Sequence, residues 1–470
     1  MGMKRLMLVW VMVLCLVPLG AWAEEETAPA LYPIRENGLW GYMNRAGEVV
    51  IEPQFAEAES FTSSTAIVAQ TQQNGKPVFG IIDQHGTPVV PIEYEQIEDC
   101  GPYYVVCDTE DLDEWVVGWY DKTSGYFQEP AYPFIDDTPS DSFLVAVDME
   151  VVADEDGFII RGAYIDRRNG EIAMLYDLSG EPYSTGTFRE GYAYWLIERE
   201  EAIDEFLLDL TFQRVKFPDG IWPRGDVREG VLPIVDDKEL FGLAKPDGTV
   251  ILQPLYDLIN AASEGRMFFE QDGKLGIMDL EGNVILPASL DWEPGWDDYG
   301  GGEEHFFRNG YALARVLGDG GTEMYVYLNR DGKIVWSSPV CTDEDTMIAP
   351  YAYVMEGGKA WIQKIEQQPD GTNKLTACCL IQLTEDGSED LSGYVFDKTI
   401  SSDGSVIDFH EGLLHVRQKG LWGYIDEQAQ WVIPPQYDSA DNFRDGLALV
   451  EKGGRLMYID HSGTVVWEEK

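Results

Sequence analysis

The feature that most constrains this chain is internal repetition. Segments 38–55, 240–256 and 420–437 align: each reads aromatic-Gly, a short alternating run, a polar turn, Val/Ile-rich residues, Pro and an aromatic. Their marks are Trp40-Gly41, Gly47 and Pro53; Phe241-Gly242, Gly248 and Pro254; and Trp422-Gly423 and Pro435. Segments 79–91 (Phe79-Gly80, Gly86) and 275–287 (Gly276, Gly282) repeat the pattern, while 325–336 and 457–467 keep only the turn glycine, Gly332 or Gly463. Gly41 to Gly80 is 39 residues, Gly80 to Gly118 is 38, and Gly242 to Gly276 is 34. Such a period means repeated supersecondary units, here about eleven of unequal length.

Each unit reads as strands and turns. Leu421–Asp426 is too short for a useful helix and rich in strand formers. Asp460-His461-Ser462-Gly463 and Asn329-Arg330-Asp331-Gly332 place Gly where a type I turn with a bulge needs a left-handed residue. A Val/Ile strand returns, and its Pro, lacking an N–H, ends or bends it. A third piece follows, as in Phe443-Arg444-Asp445-Gly446 and Phe188-Arg189-Glu190-Gly191, where Phe-x-x-Gly is a turn before another strand. The unit is thus a three-stranded meander of about 40 residues whose aromatic-Gly glycine leaves room for a neighbouring aromatic. One meander cannot bury its aromatic face, so units must stack. The Trp and Tyr positions are core residues in this scheme; stacking on sugar rings is the alternative. Three strands per unit and unequal lengths point to an all-β, curved or superhelical solenoid-like array. Closure into one or two β-propeller rings is the other arrangement.

The Leu-Trp-Gly-Tyr…Gly…Val-Val-Ile-x-Pro-Gln-Phe pattern resembles the WG repeat, also called the KWG repeat, of bacterial proteins. Residues 38–70 and 420–450 match it closely, 79–91, 240–256 and 275–287 fairly well, and 115–236 and 325–420 only in outline. The resemblance implies a tandem all-β array with a binding or scaffolding role, and carries no catalytic residues. Units are expected near 38–70, 79–107, 240–270, 275–316, 324–356, 420–450 and 455–467, with degenerate ones in 115–236 and 357–419, the array running 31–470.

The N-terminus reads as an export signal. Lys4 and Arg5 precede an apolar run, Leu6 to Leu19, and Ala21-Trp22-Ala23 supplies a small-x-small cleavage pattern. That run is short of the roughly 20 residues a membrane span needs. Cleavage after Ala23 would leave a flexible acidic start, 24–30, on an extracytoplasmic chain without a transmembrane anchor. It would also move the net charge from −51 to −53 by removing Lys4 and Arg5. This acidity excludes ordinary nucleic-acid binding, which needs clustered Lys and Arg. Of the cysteines left, Cys100, Cys107, Cys341, Cys378 and Cys379, Cys100 and Cys107 could face each other across a hairpin, which leaves a disulfide between them open. Cys378 and Cys379, as strand neighbours, point to opposite faces.

No nucleophile elbow, phosphate loop, dinucleotide fingerprint or zinc-peptidase motif occurs. His85 and His461 sit in turns before a repeat glycine, and His410-Glu411 in a Phe-x-x-Gly turn, all as scaffold. No cofactor is expected. Oxygen-rich Asp154–Gly157, Asp297-Asp298 and Asp343–Asp345 leave a weak case for Ca2+, since none has EF-hand spacing or recurs with the unit. One acidic insertion, 291–304, carries Trp292, Trp296 and Tyr299, which either form a ligand loop or pack on the array's flank. The expected function is a secreted, non-catalytic scaffold for a protein, peptide or cell-surface glycan. The alternative is a secreted carbohydrate-active hydrolase using carboxylates on a concave face.

Overall fold

A computed structural model describes residues 30–109, 115–135, 142–154, 157–179, 181–182, 186–199, 202–291, 306–317, 323–339, 346–368, 372–397 and 408–470. The expected signal segment, 1–23, lies outside them. The described residues form eleven antiparallel sheets and no helix. We number these blades in chain order: 31–55, 57–94, 96–132, 134–179, 181–209, 221–256, 258–291, 311–337, 346–390, 414–437 and 439–468.

Blade 2 shows the plan. Strands Glu57–Ala58, Thr65–Thr71, Pro77–Asp83 and Pro88–Tyr94 pair in that order. The last three are the three strand types of the expected unit, but the strand after the Phe-x-x-Gly turn joins the aromatic-Gly and Val/Ile strands that follow it, not those before. The first was not expected. Two residues long, it makes only the pairs Glu57↔Ala69 and Ala58↔Val68, too little to leave a hydrophobic period. Eight sheets have four strands, and three have three among the described residues. The last strand of blade 1, Val49–Phe55, leads through one residue into Glu57–Ala58 of blade 2. The sequence unit 38–70 therefore straddles two blades. Segment 455–467 completes blade 11, where Arg455–Asp460 and Val465–Glu468 pair beside Leu447–Lys452.

The aromatic-Gly pair marks a bulge. Trp40 faces Phe55 and Tyr42 faces Ile51, so Gly41 alone opposes residues 52–54. The bulged strand crosses over Gly41, and Pro53, with no N–H to pair, occupies the bulge. A Cβ on Gly41 would lie 2.6 Å from Pro53 N, and one on Gly423 2.7 Å from Pro435 N. Gly80 and Gly242 meet Pro91 O and Pro254 N at 2.7 and 2.8 Å in the same way. What needs the glycine here is neighbouring backbone, not the aromatic ring anticipated from the sequence. At Gly276 and Gly162 a ring does intrude, from Phe269 and Tyr176. The following turns form as expected: Gly47, Gly86, Gly248, Gly282, Gly332 and Gly463 have φ between 75° and 87°. Asp83 shows the reason for the acid at their start, since its Oδ1 accepts from His85 N and Thr87 N, both at 2.8 Å.

Blades stack face to face. Tyr42, Ile51 and Phe55 share a core with Ala66, Val68 and Ile82 of blade 2; Ile67, Ile81 and Tyr94 share the next with Tyr104 and Val106 of blade 3. The series runs without a gap through blades 4 to 11. It then closes, because Leu447, Tyr458 and Trp467 of blade 11 pack on Tyr32, Ile34 and Met43 of blade 1. The protein is an 11-bladed β-propeller, so the closed arrangement replaces the open array. Unequal unit lengths do not oppose closure, because the extra residues lengthen strands beyond the stacked part. Blade 4 has Leu144–Asp154 and Gly157–Asp166 where blade 2 has Thr65–Thr71 and Pro77–Asp83.

A tyrosine clasps each closely repeated junction. Tyr42 donates to Glu59 O and Tyr424 to Asp441 O, both at 2.8 Å, reaching the first strand of the next blade. Their rings meet Phe61 and Phe443 edge-on at 4.8 Å. Burial, aided by nearby Glu59 and Asp441 respectively, holds both phenols well above their ordinary pKa.

Candidate functional site

Successive strands alternate in direction, so the turn joining the first two strands and the turn joining the last two lie at the same end of each blade. One face of the ring therefore carries both sets. Six of the first set are two-residue hairpins with both central residues left-handed: Glu190-Gly191, Glu229-Gly230, Glu264-Gly265, Asn309-Gly310, Glu411-Gly412 and Asp445-Gly446. This is the type I′ combination, and it turns two consecutive N–H groups into one anion-binding concavity.

At four of these turns the residue before the glycine reaches into the concavity of the next blade. Glu190 accepts from Glu229 N and Gly230 N at 2.6 and 2.7 Å. Glu229 in turn accepts from Glu264 N and Gly265 N, both at 2.7 Å. Glu264 accepts from Asn309 N and Gly310 N at 2.8 Å each. Glu411 holds Gly446 N at 3.0 Å and His461 Nε2 at 2.8 Å. Each is a charge-assisted bond between blades. Arg330 adds a bond to Glu264 at 2.8 Å. Burial raises the pKa of Glu264, but Arg330 and the two turn N–H groups outweigh it and hold the carboxyl below its ordinary value. Acid-Gly was visible at each Phe-x-x-Gly turn, yet its partner sits a whole blade away, so sequence reasoning missed the ladder.

The second set of turns adds buried charge between blades 3 and 4. Asp121 is fully buried and pairs with Arg167, also buried. The Asp121 carboxylate also accepts from Ser124 N at 2.8 Å, and Trp119 Nε1 donates to Arg167 O at 2.8 Å. Lys122 bonds Asp99 and lies 4.0 Å from the centre of the Tyr104 ring.

The repeat aromatics are placed in the blade interfaces: Tyr42 and Tyr424 are fully buried and Trp422 nearly so. Trp40 is half-buried beneath Arg35. Trp292, Trp296 and Tyr299 lie outside the described residues, as do Asp297-Asp298, Asp343–Asp345 and Cys341; in Asp154–Gly157 the central pair does. Among the described residues, no group of three or more His, Cys, Asp or Glu is arranged to hold a metal. His461 is bonded to Glu411 and rests on the Phe443 ring at 4.5 Å. The pairing of Cys100 and Cys107 across a hairpin is not made as a disulfide: Cys100 N bonds Tyr103 O, whereas Cys107 pairs with Gln96 further along the strand. Cys378 and Cys379 do face opposite ways, Cys378 toward blade 10 and Cys379 toward blade 8. Burial raises the Cys379 thiol to about 12.

The family described as WG containing repeat matches residues 40–76, 79–99, 241–274 and 422–455. These four segments are WG repeats. Each WG repeat crosses a blade junction, carrying the last strands of one blade and the first of the next. The WG glycines themselves, Gly41 and Gly423, are those covered by the bulge. No curated protein matches the chain. Among solved structures it is similar to one titled AfRom2 CNH domain, at 10% identity over 59% of this chain and 98% of that one, with a TM-score of 0.23. A likeness that slight bears on neither the fold nor the function.

Proposed function

We propose that this WG-repeat propeller is a non-catalytic binding scaffold acting outside the cytoplasm, with a protein, peptide or cell-surface glycan as partner. The observation that supports it most is the turn-bearing face. There, the same left-handed hairpin recurs, at four places with its backbone donors holding an acid of the blade before, the pattern of a regular surface and not of one reacting centre. The strong net charge of −51 favours partners that are neutral or basic where they touch the ring. The test is capture from native envelope and medium by the chain beginning at Glu24, with and without residues 291–304, competed by excess free chain. A saturable, competed partner supports the scaffold, and capture of nothing competable overturns it. N-terminal sequencing of the exported protein tests the export step, with Glu24 expected first.

A further inference from the structure

We propose that the junction of blades 9 and 10 is a binding site for a carboxylate carried by a protein partner; this rests on the scaffold reading and names a site within it. The argument comes from the ladder. At Glu229-Gly230, Glu264-Gly265 and Asn309-Gly310, both N–H groups of the turn grip a carboxylate from the preceding blade at 2.6–2.8 Å. Gly446 N receives the Glu411 carboxylate in the same way. The concavity is therefore a carboxylate holder wherever the preceding turn supplies an acid.

Blade 10 has the concavity with no acid seated in it. Its turn, Glu411-Gly412, has the same left-handed pair, φ 52° and 78°. The preceding loop, in blade 9, is one residue longer: Glu356-Gly357-Gly358 lies between the paired Met355 and Lys359. Gly357, at φ 76° like Gly358, takes the place that Glu190, Glu229, Glu264 and Glu411 hold before the last turn glycine, while Glu356 is exposed and accepts from neither N–H of the blade 10 turn. Among the described residues nothing accepts from Glu411 N or Gly412 N, and both residues are exposed. The turn Ser63-Ser64 of blade 2 lacks the left-handed pair, since only Ser63 has positive φ.

The space left by the missing acid borders a cation. A Cβ on Gly357 would have Lys359 Nζ as its nearest neighbour, at 3.5 Å. Lys359 is 6% exposed, and its ammonium lies 5.4 Å from the ring centre of Phe409, the first residue of the open turn. Its one carboxylate partner, Glu427, is half-exposed and at 3.3 Å. An incoming carboxylate would take two N–H bonds, as in the filled turns, with an ammonium beside it. At long range the acidic ring repels free anions, so the carboxylate must arrive on a peptide whose other residues are neutral or basic. A C-terminal carboxylate and an Asp or Glu side chain share this chemistry.

Three probes separate the cases: acetyl-Lys-Gly-Gly with a free carboxylate, the same peptide as its amide, and acetyl-Lys-Asp-amide. The readout is the amide chemical shifts of Glu411 and Gly412 in the chain from Glu24. We expect saturable shifts with the first probe, the third or both, and none with the Lys-Gly-Gly amide. Whichever carboxylate probe shifts them identifies the source. Gly357→Glu supplies the missing acid in cis, and Glu already adopts φ 48–53° at 190, 229, 264 and 411. It should weaken the probe by about tenfold or more, as a filled charge-assisted site must be vacated first. Gly357→Ala, checked with Gly357→Glu for an unchanged unfolding midpoint, should leave binding intact. No shift with either carboxylate, an equal shift with the amide, or full binding to Gly357→Glu would overturn the site. A partner captured equally by wild type and Gly357→Glu would remove this site and leave the scaffold standing. Probe shifts without any competable capture would do the reverse.

Discussion

Position 429 isolates the energetics of the repeated turn. Six equivalent positions hold glycine with φ near 80°, whereas blade 10 has Ala429 at φ 57°. An L-residue in the left-handed region costs about 1–2 kcal/mol. Ala429→Gly removes that cost but returns about 0.4–1 kcal/mol through the greater freedom of the unfolded glycine. The net is a stabilisation of about 0.8 kcal/mol, reduced slightly because the Ala429 methyl touches the blade 10 core. Gly463→Ala is the mirror experiment, since the atoms nearest its added Cβ are side-chain atoms of Ile433, at 3.5 Å. It should cost about the same amount through backbone alone. Gly332→Ala should cost more, because its Cβ would fall 2.8 Å from Leu286 Cβ. A melting temperature is a blunt readout here. At about 2.1 cal/mol/K per residue, a cooperative ring of about 440 residues shifts by only about 1 °C per kcal/mol. Hydrogen exchange of the amides in Leu421–Ile425 and Trp431–Tyr437 reads the hairpin itself and should show about fourfold greater protection in Ala429→Gly. Unchanged or reduced protection, or equal costs for Gly463→Ala and Gly332→Ala, would refute the assignment of these turns.

Gly423→Ala should destabilise by about 3 kcal/mol or more in urea unfolding, because its Cβ would sit 2.7 Å from Pro435 N and only backbone movement relieves it. Glu264→Gln should cost about 1 kcal/mol. It should also flatten the acid side of the stability profile: the Glu264 pKa is depressed in the fold, so its contribution is complete above about pH 4.3 and is lost as pH falls through the lower folded value. An equal acid slope in the variant would contradict this. Asp121→Ala strands buried Arg167 and should cost about 3–5 kcal/mol, with Asp121→Ala/Arg167→Met recovering much of it. Tyr458→Phe should lower the stability of the blade 1–11 seam by about 1–2 kcal/mol, seen as faster exchange in Leu31–Glu36 while blade 6 is unchanged.

Much of a blade was legible because its grammar is local. Aromatic-Gly, Asp-x-x-Gly and Val-Ile-x-Pro lie within about 20 residues of one another, so the three longer strands and the turn glycines could be placed. The role of the first glycine was half legible. A close approach was foreseen, but that the approaching group is a bulged backbone depends on register, which Trp40↔Phe55 and Tyr42↔Ile51 reveal. The two-residue first strand carried no period to detect. Closure was beyond local grammar altogether, since it depends on a small rotation per unit summed over eleven. The same holds for the site: Glu229-Gly230 and Gly357-Gly358 are both plain in the sequence, yet the absence of an acid at 357 means something only once blade 10 is known to lie beside it.

The seam shows how the ring closes with the contacts that join its interior blades. In an interior blade the first strand arrives from the blade before, and its N–H groups satisfy the second strand. Glu59 N bonds Ile67 O, Asn260 N bonds Phe268 O and Asp441 N bonds Leu449 O. Register places Pro33 of blade 1 at that same position, because Ile34 faces Gly41 as Val68 faces Gly80. Tyr458 of blade 11 stands where Tyr42 and Tyr424 stand in theirs, five residues before the turn position occupied by Gly463, Gly47 or Ala429. Elsewhere that hydroxyl holds the first strand of the next blade. At the seam it donates directly to Pro33 O at 3.0 Å, meeting the acceptor that a first-strand N–H meets elsewhere. Tyr32 donates back to Asp445 O at 2.8 Å, and Arg35 forks onto Glu469 at 2.7 and 3.0 Å. The junction that joins the two chain ends is thus made by the same residue of the repeat as the continuous junctions, moved by one hydrogen bond. The aromatic faces of blades 1 and 11, which neither could bury alone, are covered by each other.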